Sequence, residues 1–204
     1  MVERLPPLLG SLILIGIVCW RVWLQSRRYG TRGVVLFRSR NFAENLRDGL
    51  AVALFALLVA QAIVWVFSPE TLRPWGAGHS TRAIREALGA VLLIGGLVLL
   101  VAAQLDLGAS WRIGVDEGAR PGLVTTGLYR FCRNPIFLAL LVTWTGYALL
   151  LPTTLSFCLL AGGFIGMRQQ VLLEEAYLLR TYGDAYRDYA RRVGRFVPGI
   201  GKLR

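Results

Sequence analysis

Apolar residues along this chain fall into five blocks, at about positions 5–24, 50–67, 87–107, 136–151 and 153–173, separated by stretches where arginine, glycine and proline gather. A hydrocarbon core of about 30 Å is crossed by roughly 20 helical residues, within a range of about 17–25. Inside lipid every backbone polar group needs an internal partner, so each block is expected to be a helix. The fourth block is short, and Leu151-Pro152-Thr153 leaves almost no room before the fifth. Pro152 cannot continue a helical ladder without losing a hydrogen bond, so a tight hairpin is expected there, with the last two helices antiparallel and in contact. The first block lacks a small-residue cleavage site before the next charges and reads as a retained membrane helix.

The polar positions set an orientation. Arg27, Arg28, Arg32, Arg38, Arg40 and Arg47 lie between blocks one and two, and Arg112, Arg120, Arg130 and Arg133 between three and four. Beyond block five come Arg180, Arg187, Arg191, Arg192, Arg195, Lys202 and Arg204, while the opposite side keeps Arg4, Arg73, Arg82 and Arg85. Positive-inside bias then places the N-terminus outside and the C-terminus in the cytoplasm of an inner or cytoplasmic membrane. Past block five, Tyr186, Tyr189, Val193 and Phe196 share one helical face and Arg187, Arg191 and Arg195 another. This pattern predicts an amphipathic cytoplasmic helix that adheres to lipid headgroups, with Gly183 ending the helix before it and Asp184 capping it. Gly89, Gly95 and Gly96, and Gly162 with Gly166, mark expected helix contacts.

Composition agrees with this all-α, polytopic reading. Of 204 residues 55% are hydrophobic and mean hydropathy is +0.53, above the roughly 45–50% apolar share of soluble domains. No repeat or linker divides the chain, so 1–204 is read as one membrane domain: three helices over 1–107 and a functional core over 108–204. The net charge of +11 sits in connections and tail, the placement expected for anionic lipid and not for nucleic acid. Cys19, Cys132 and Cys158 read as small buried hydrophobes, and the lone His79 has no partner for a metal.

Two clusters carry candidate chemistry. Glu174 and Glu175 stand at the cytoplasmic end of a membrane helix, where carboxylates are costly unless paired or wet, so one of them is expected to face a cation; a solvated interfacial pair is the alternative. The connection 118–137 enters the fourth helix through Arg133-Asn134-Pro135. Helix initiation alone accounts for Asn134 as a cap and Pro135 in the first turn, but not for the string before them.

That string, Leu123-Val124-Thr125-Thr126-Gly127-Leu128-Tyr129, is followed by Arg133-Asn134-Pro135-Ile136-Phe137, a hairpin, Glu174-Glu175 and Tyr182-Gly183-Asp184-Ala185-Tyr186-Arg187-Asp188-Tyr189. The order resembles that of the isoprenylcysteine carboxyl methyltransferase and phospholipid methyltransferase superfamily of integral membrane enzymes. The resemblance implies S-adenosylmethionine as cofactor, in a cytosol-facing pocket, with a lipophilic acceptor arriving from the bilayer. Carried over by position, cofactor contacts are Gly122, Leu123, Val124, Tyr129, Asn134, Pro135, Ile136, Phe137 and Glu174, with Glu174 on the cofactor ammonium. Arg133, Glu175, Tyr186 and Tyr189 are expected to support or close the site, and no catalytic acid, base or metal is assigned. Asn134 replaces the family's usual histidine and Phe137 its usual tyrosine. Gln170 replaces the arginine with which carboxyl methyltransferases hold the acceptor, and Arg168 stands about 200° around the helix from it. These departures imply a lipophilic or small apolar acceptor, such as an amine, phenol or thiol, in place of a prenylcysteine carboxylate. The competing readings are an NADPH-dependent reductase of the sterol reductase type and a non-enzymatic membrane scaffold.

Overall fold

Each long helix continues past its apolar block until a local signal stops it. The computed structural model describes residues 2–31, 33–37, 41–76, 79–113 and 122–203, with the His79 and Ser80 side chains outside that description. Helix α1 (Leu5–Tyr29) opens on two prolines and closes at Gly30, whose left-handed φ of 68° directs its N–H to the Ser26 carbonyl. Helix α2 (Phe42–Phe67) is capped by Asn41, which accepts from the Ala43 amide at 2.9 Å. Helices α3 (His79–Leu107), α4 (Pro135–Leu150), α5 (Thr154–Tyr182) and α6 (Asp184–Arg192) complete the set.

The protein is an all-helical integral membrane protein. Among the described residues, four helices, α1, α2, α3 and α5, are long and apolar enough to span a bilayer. The fifth apolar helix, α4, has 16 residues, about 24 Å at the usual rise and short of a full hydrocarbon core. Leu151, Pro152 and Thr153 form the expected hairpin turn, with Thr153 Oγ1 capping α5 at the Ser156 amide. The Pro152 carbonyl accepts from Trp75 at 2.7 Å, and Gln61 on α2 donates to Thr153 (2.5 Å) and Ser156 (2.9 Å), tying this end of the bundle together.

Helix α4 packs most closely on α3, because glycines let the backbones meet. A Cβ on Gly146 would fall onto the Leu93 amide and Gly89 carbonyl, and one on Gly96 onto Thr143. Gly89 and Gly96 therefore lie at a contact as expected, joined by Gly146. Gly95 and Gly166 face open space and Gly162 makes only an ordinary contact with Leu54, whereas Gly163 packs against Trp144. Spacing locates small residues on a helix, but which face meets a neighbour is decided by the neighbour.

At the opposite end from the hairpin, Arg21 is 1% exposed and binds the carbonyls of Gln104 (3.4 Å) and Gly108 (2.5 Å), while Gln25 binds that of Ala109. A cation and an amide thus cap the C-terminal end of α3, where the helix dipole favours positive charge. Trp111 lies 4.7 Å from the Arg21 guanidinium, and Ile113 is bridged to Val34.

The tail departs from the simple amphipathic helix. Helix α6 ends at Arg192, and Val193 is extended at φ −107°, ψ 134°, so Phe196 and Arg195 leave its faces. Tyr186 and Tyr189 are buried against Leu123, Leu178 and Leu179, so the tyrosine face of this helix packs on protein. Gly183 occupies the cap position, and the Asp184 carboxylate pairs with Arg187.

Candidate active site

The two neighbouring carboxylates on α5 meet different environments. Glu175 Oε1 accepts from Arg133 Nε (3.1 Å), Arg133 Nη2 (2.9 Å) and Asn134 Nδ2 (3.2 Å). Its Oε2 accepts from Arg195 Nε (3.0 Å) and Nη2 (2.8 Å). Two cations therefore oppose one buried charge. Glu174, half-buried, accepts one hydrogen bond, from Gln170 Nε2 at 2.9 Å, and has no ion pair among the described residues. One residue of helix rotation, about 100°, separates a saturated carboxylate from one with spare capacity.

Arg133 uses all its donors. Besides Glu175 it binds the carbonyls of Ala190 (2.9 Å), Val193 (2.5 Å) and Gly201 (3.1 Å), pulling the chain after α6 back over the start of α4. The Arg133 and Asn134 amides add bonds to Gly194 O (2.9 Å) and Arg195 O (3.1 Å), a short parallel bridge. Asn134 begins α4, but its side chain binds Glu175 and the Arg195 carbonyl and makes no cap hydrogen bond. Its expected capping role is replaced by cross-linking. Because Glu175 and both arginines are held in one network, the Arg195 guanidinium lies inward, with its pKa raised chiefly by the hydrogen bond to Glu175.

The segment before α4 is shaped by Asp106. Gly127 has φ 58°, a Cβ there would strike the Asp106 carboxylate, and the carboxylate accepts from the Leu128 amide at 2.7 Å. The following turn buries Tyr129 to 7% exposure, and its carbonyl accepts from Tyr189 Oη at 2.6 Å. Burial first, and then the charge of Glu174, push the Tyr129 phenol up, so it stays neutral. Tyr186 and Tyr189 are likewise pushed up by burial.

The structure brings Tyr129, Asn134, Glu174, Glu175, Arg133, Tyr186 and Tyr189 to one end of the bundle, with Leu123 against the tail cluster. Gly122 is exposed and its carbonyl accepts from Ser110; Val124 and Phe137 are half-buried and Pro135 buried. Ile136 packs on the transmembrane core, away from the tail cluster. Of the connection 118–137, residues 118–121 lie outside the described residues. Sequence reasoning did not find Arg112, which sits 5.6 Å from the Tyr177 ring on the turn following Glu174. In sequence it had counted only toward topology.

The profile of the phospholipid methyltransferase family matches residues 84–185, half of the chain. Protein-S-isoprenylcysteine O-methyltransferase of Dictyostelium discoideum is 25% identical over 79% of this chain and 66% of its own length. Methanethiol S-methyltransferase of Mycobacterium tuberculosis is 38% identical over 35% of this chain and 28% of its own. The chain spans 49–66% of the length of the first curated relatives it matches. The solved structure of a eukaryotic intramembrane Ras methyltransferase, an isoprenylcysteine carboxyl methyltransferase, covers 95% of this chain and 86% of that one, with TM-score 0.54 and 16% identity, and so shares the fold.

Proposed function

Because the chain belongs to the phospholipid methyltransferase family, we propose that it is a membrane methyltransferase that uses S-adenosylmethionine and methylates a lipophilic or small apolar acceptor other than a prenylcysteine carboxylate. The observation that carries this reading is the contrast between Glu175, neutralised by two arginines, and Glu174, left with one neutral partner. A half-buried carboxylate with spare lone pairs suits an ammonium group, and charge-assisted bonds of this kind are roughly twice as strong as neutral ones.

When bound, S-adenosylmethionine supplies a methyl group on a sulfonium, already activated for in-line displacement. The chain's own task is alignment and exclusion of water. Glu174 holds the ammonium, Leu123, Val124 and Tyr129 with Gly122 and the backbone of Asn134, Pro135, Ile136 and Phe137 shape the pocket, and Arg133 with Glu175 keeps the tail closed over it. Positioning of this kind is worth effective molarities of about 10⁵ M or more. Gln170 is neutral and engaged with Glu174, which supports an uncharged acceptor, and the relatives named for methanethiol favour a small thiol among the candidates. Arginine placement supports a cytoplasmic site and C-terminus with the N-terminus outside.

Calorimetric titration of the detergent-purified protein with S-adenosylhomocysteine tests the reading. Micromolar binding that weakens by about 1–3 kcal/mol in Glu174→Gln is expected. A folded protein that binds NADPH and not S-adenosylhomocysteine refutes the methyltransferase reading in favour of a reductase; binding of neither leaves the scaffold.

A further inference from the structure

A methionyl cofactor ends in a zwitterion, so an anion that holds its ammonium leaves its carboxylate in need of a cation nearby. Arg133 cannot serve, since all its donors are committed to Glu175 and to backbone carbonyls, and Arg195 turns its Nε and Nη2 to Glu175, away from Glu174. Two other arginines approach Glu174 from different elements. Tyr177 lies three residues after Glu174, on the same side of α5, and the Arg112 guanidinium stands 5.6 Å from its ring centroid. Arg47, on α2, has a buried Nε without a hydrogen-bond partner. The charges of both reach the Glu174 carboxylate, and neither forms an ion pair among the described residues.

Arg112 is also held in place by backbone. Ile113 N donates to Gly33 O at 2.7 Å and Val35 N to Ile113 O at 2.9 Å, while Trp111 is buried against Arg21. Gly33 and Val35 in the loop between α1 and α2 thus brace Ile113, and Arg21 on α1 holds Trp111, so both neighbours of Arg112 are fixed. Resting on the cofactor reading above, we propose that Arg112, seconded by Arg47, binds the carboxylate of the cofactor's methionyl end while Glu174 binds its ammonium. The pair reads a zwitterion, and the N-terminal half of the chain thereby contributes to cofactor selection.

The test compares S-adenosylhomocysteine with S-(5′-adenosyl)-3-thiopropylamine, which keeps the ammonium and lacks the carboxylate, by calorimetry on the full chain. The wild type should prefer the first by roughly tenfold to a hundredfold, as expected for one charge-assisted hydrogen bond. Arg112→Gln should bring that ratio near one while leaving thiopropylamine affinity little changed, and Arg47→Gln should reduce it partly. A ratio unchanged in Arg112→Gln, or one abolished by Arg47→Gln alone, overturns the assignment and leaves the cofactor reading standing. Failure of the wild type to bind S-adenosylhomocysteine overturns both. If Arg112→Gln binds neither ligand, Arg112→Lys decides: a retained preference supports the assignment and a ratio near one overturns it.

Discussion

Glu175→Gln should release the tail without touching the neighbouring carboxylate's contacts. The side chain accepts five hydrogen bonds from two arginines and an asparagine, and Arg133 is only 2% exposed. Glutamine keeps the size but removes the charge and points an N–H₂ group at one guanidinium. Breaking one member of a buried ion pair costs about 3–5 kcal/mol, because the remaining charge stays desolvated. At about 1.4 kcal/mol per tenfold, opening of the segment after α6 should become roughly two to three and a half orders of magnitude more frequent. Hydrogen exchange reads this directly at the amides of Arg133, Asn134 and Leu203, which donate to Gly194, Arg195 and Ala190. Glu174→Gln is the internal control, since its carboxylate accepts from Gln170 and from no residue of the tail. Exchange accelerated less than about fivefold in Glu175→Gln, or equally in both variants, would refute the reasoning that the network holds the tail.

Other expectations concern packing, turn geometry and thiol chemistry. Gly146→Ala forces a methyl into the α3 backbone and should lower stability in detergent by about 1–3 kcal/mol, seen as a lower Tm, whereas Gly166→Ala should be nearly neutral. Tyr189→Phe removes the bond to the Tyr129 carbonyl and should cost about 1–3 kcal/mol, because a buried acceptor is left unpaired; unchanged thermal stability would count against that contact. Cys132 is 4% exposed and its thiol is pushed up by burial, so little thiolate forms at neutral pH. Maleimide should label it only after unfolding, and rapid labelling of the folded protein at pH 7 would contradict this placement.

The geometry of the site explains why a pair of adjacent glutamates need not act as a pair. Adjacent helical residues point about 100° apart, so Glu175 meets the start of α4 and the returning tail while Glu174 meets Gln170 and open capacity. The proposed function rests on that division. One carboxylate is engaged by two arginines, and the other accepts a single hydrogen bond from a neutral amide.

The sequence by itself determined the helices, the hairpin at Pro152 and the family, because lipid forces every spanning segment to satisfy its own backbone and the motif order survives along the chain. It also identified Glu174 and Glu175 as paired acids, and the resemblance set Glu174 toward the cofactor and Glu175 in support, but the partners of neither could be read from it. Only the tertiary structure decided that Arg133 and Arg195 converge on Glu175, that α6 ends at Arg192 with its tyrosines buried, that Asn134 links elements and does not cap, and that Arg112 stands beside Tyr177. The physical reason is reach. Hydrophobic period and cap chemistry act over a few neighbouring residues and can be read locally, whereas an arginine's partner is whatever acceptor the fold brings within hydrogen-bond distance, here a carboxylate 42 positions away in the chain.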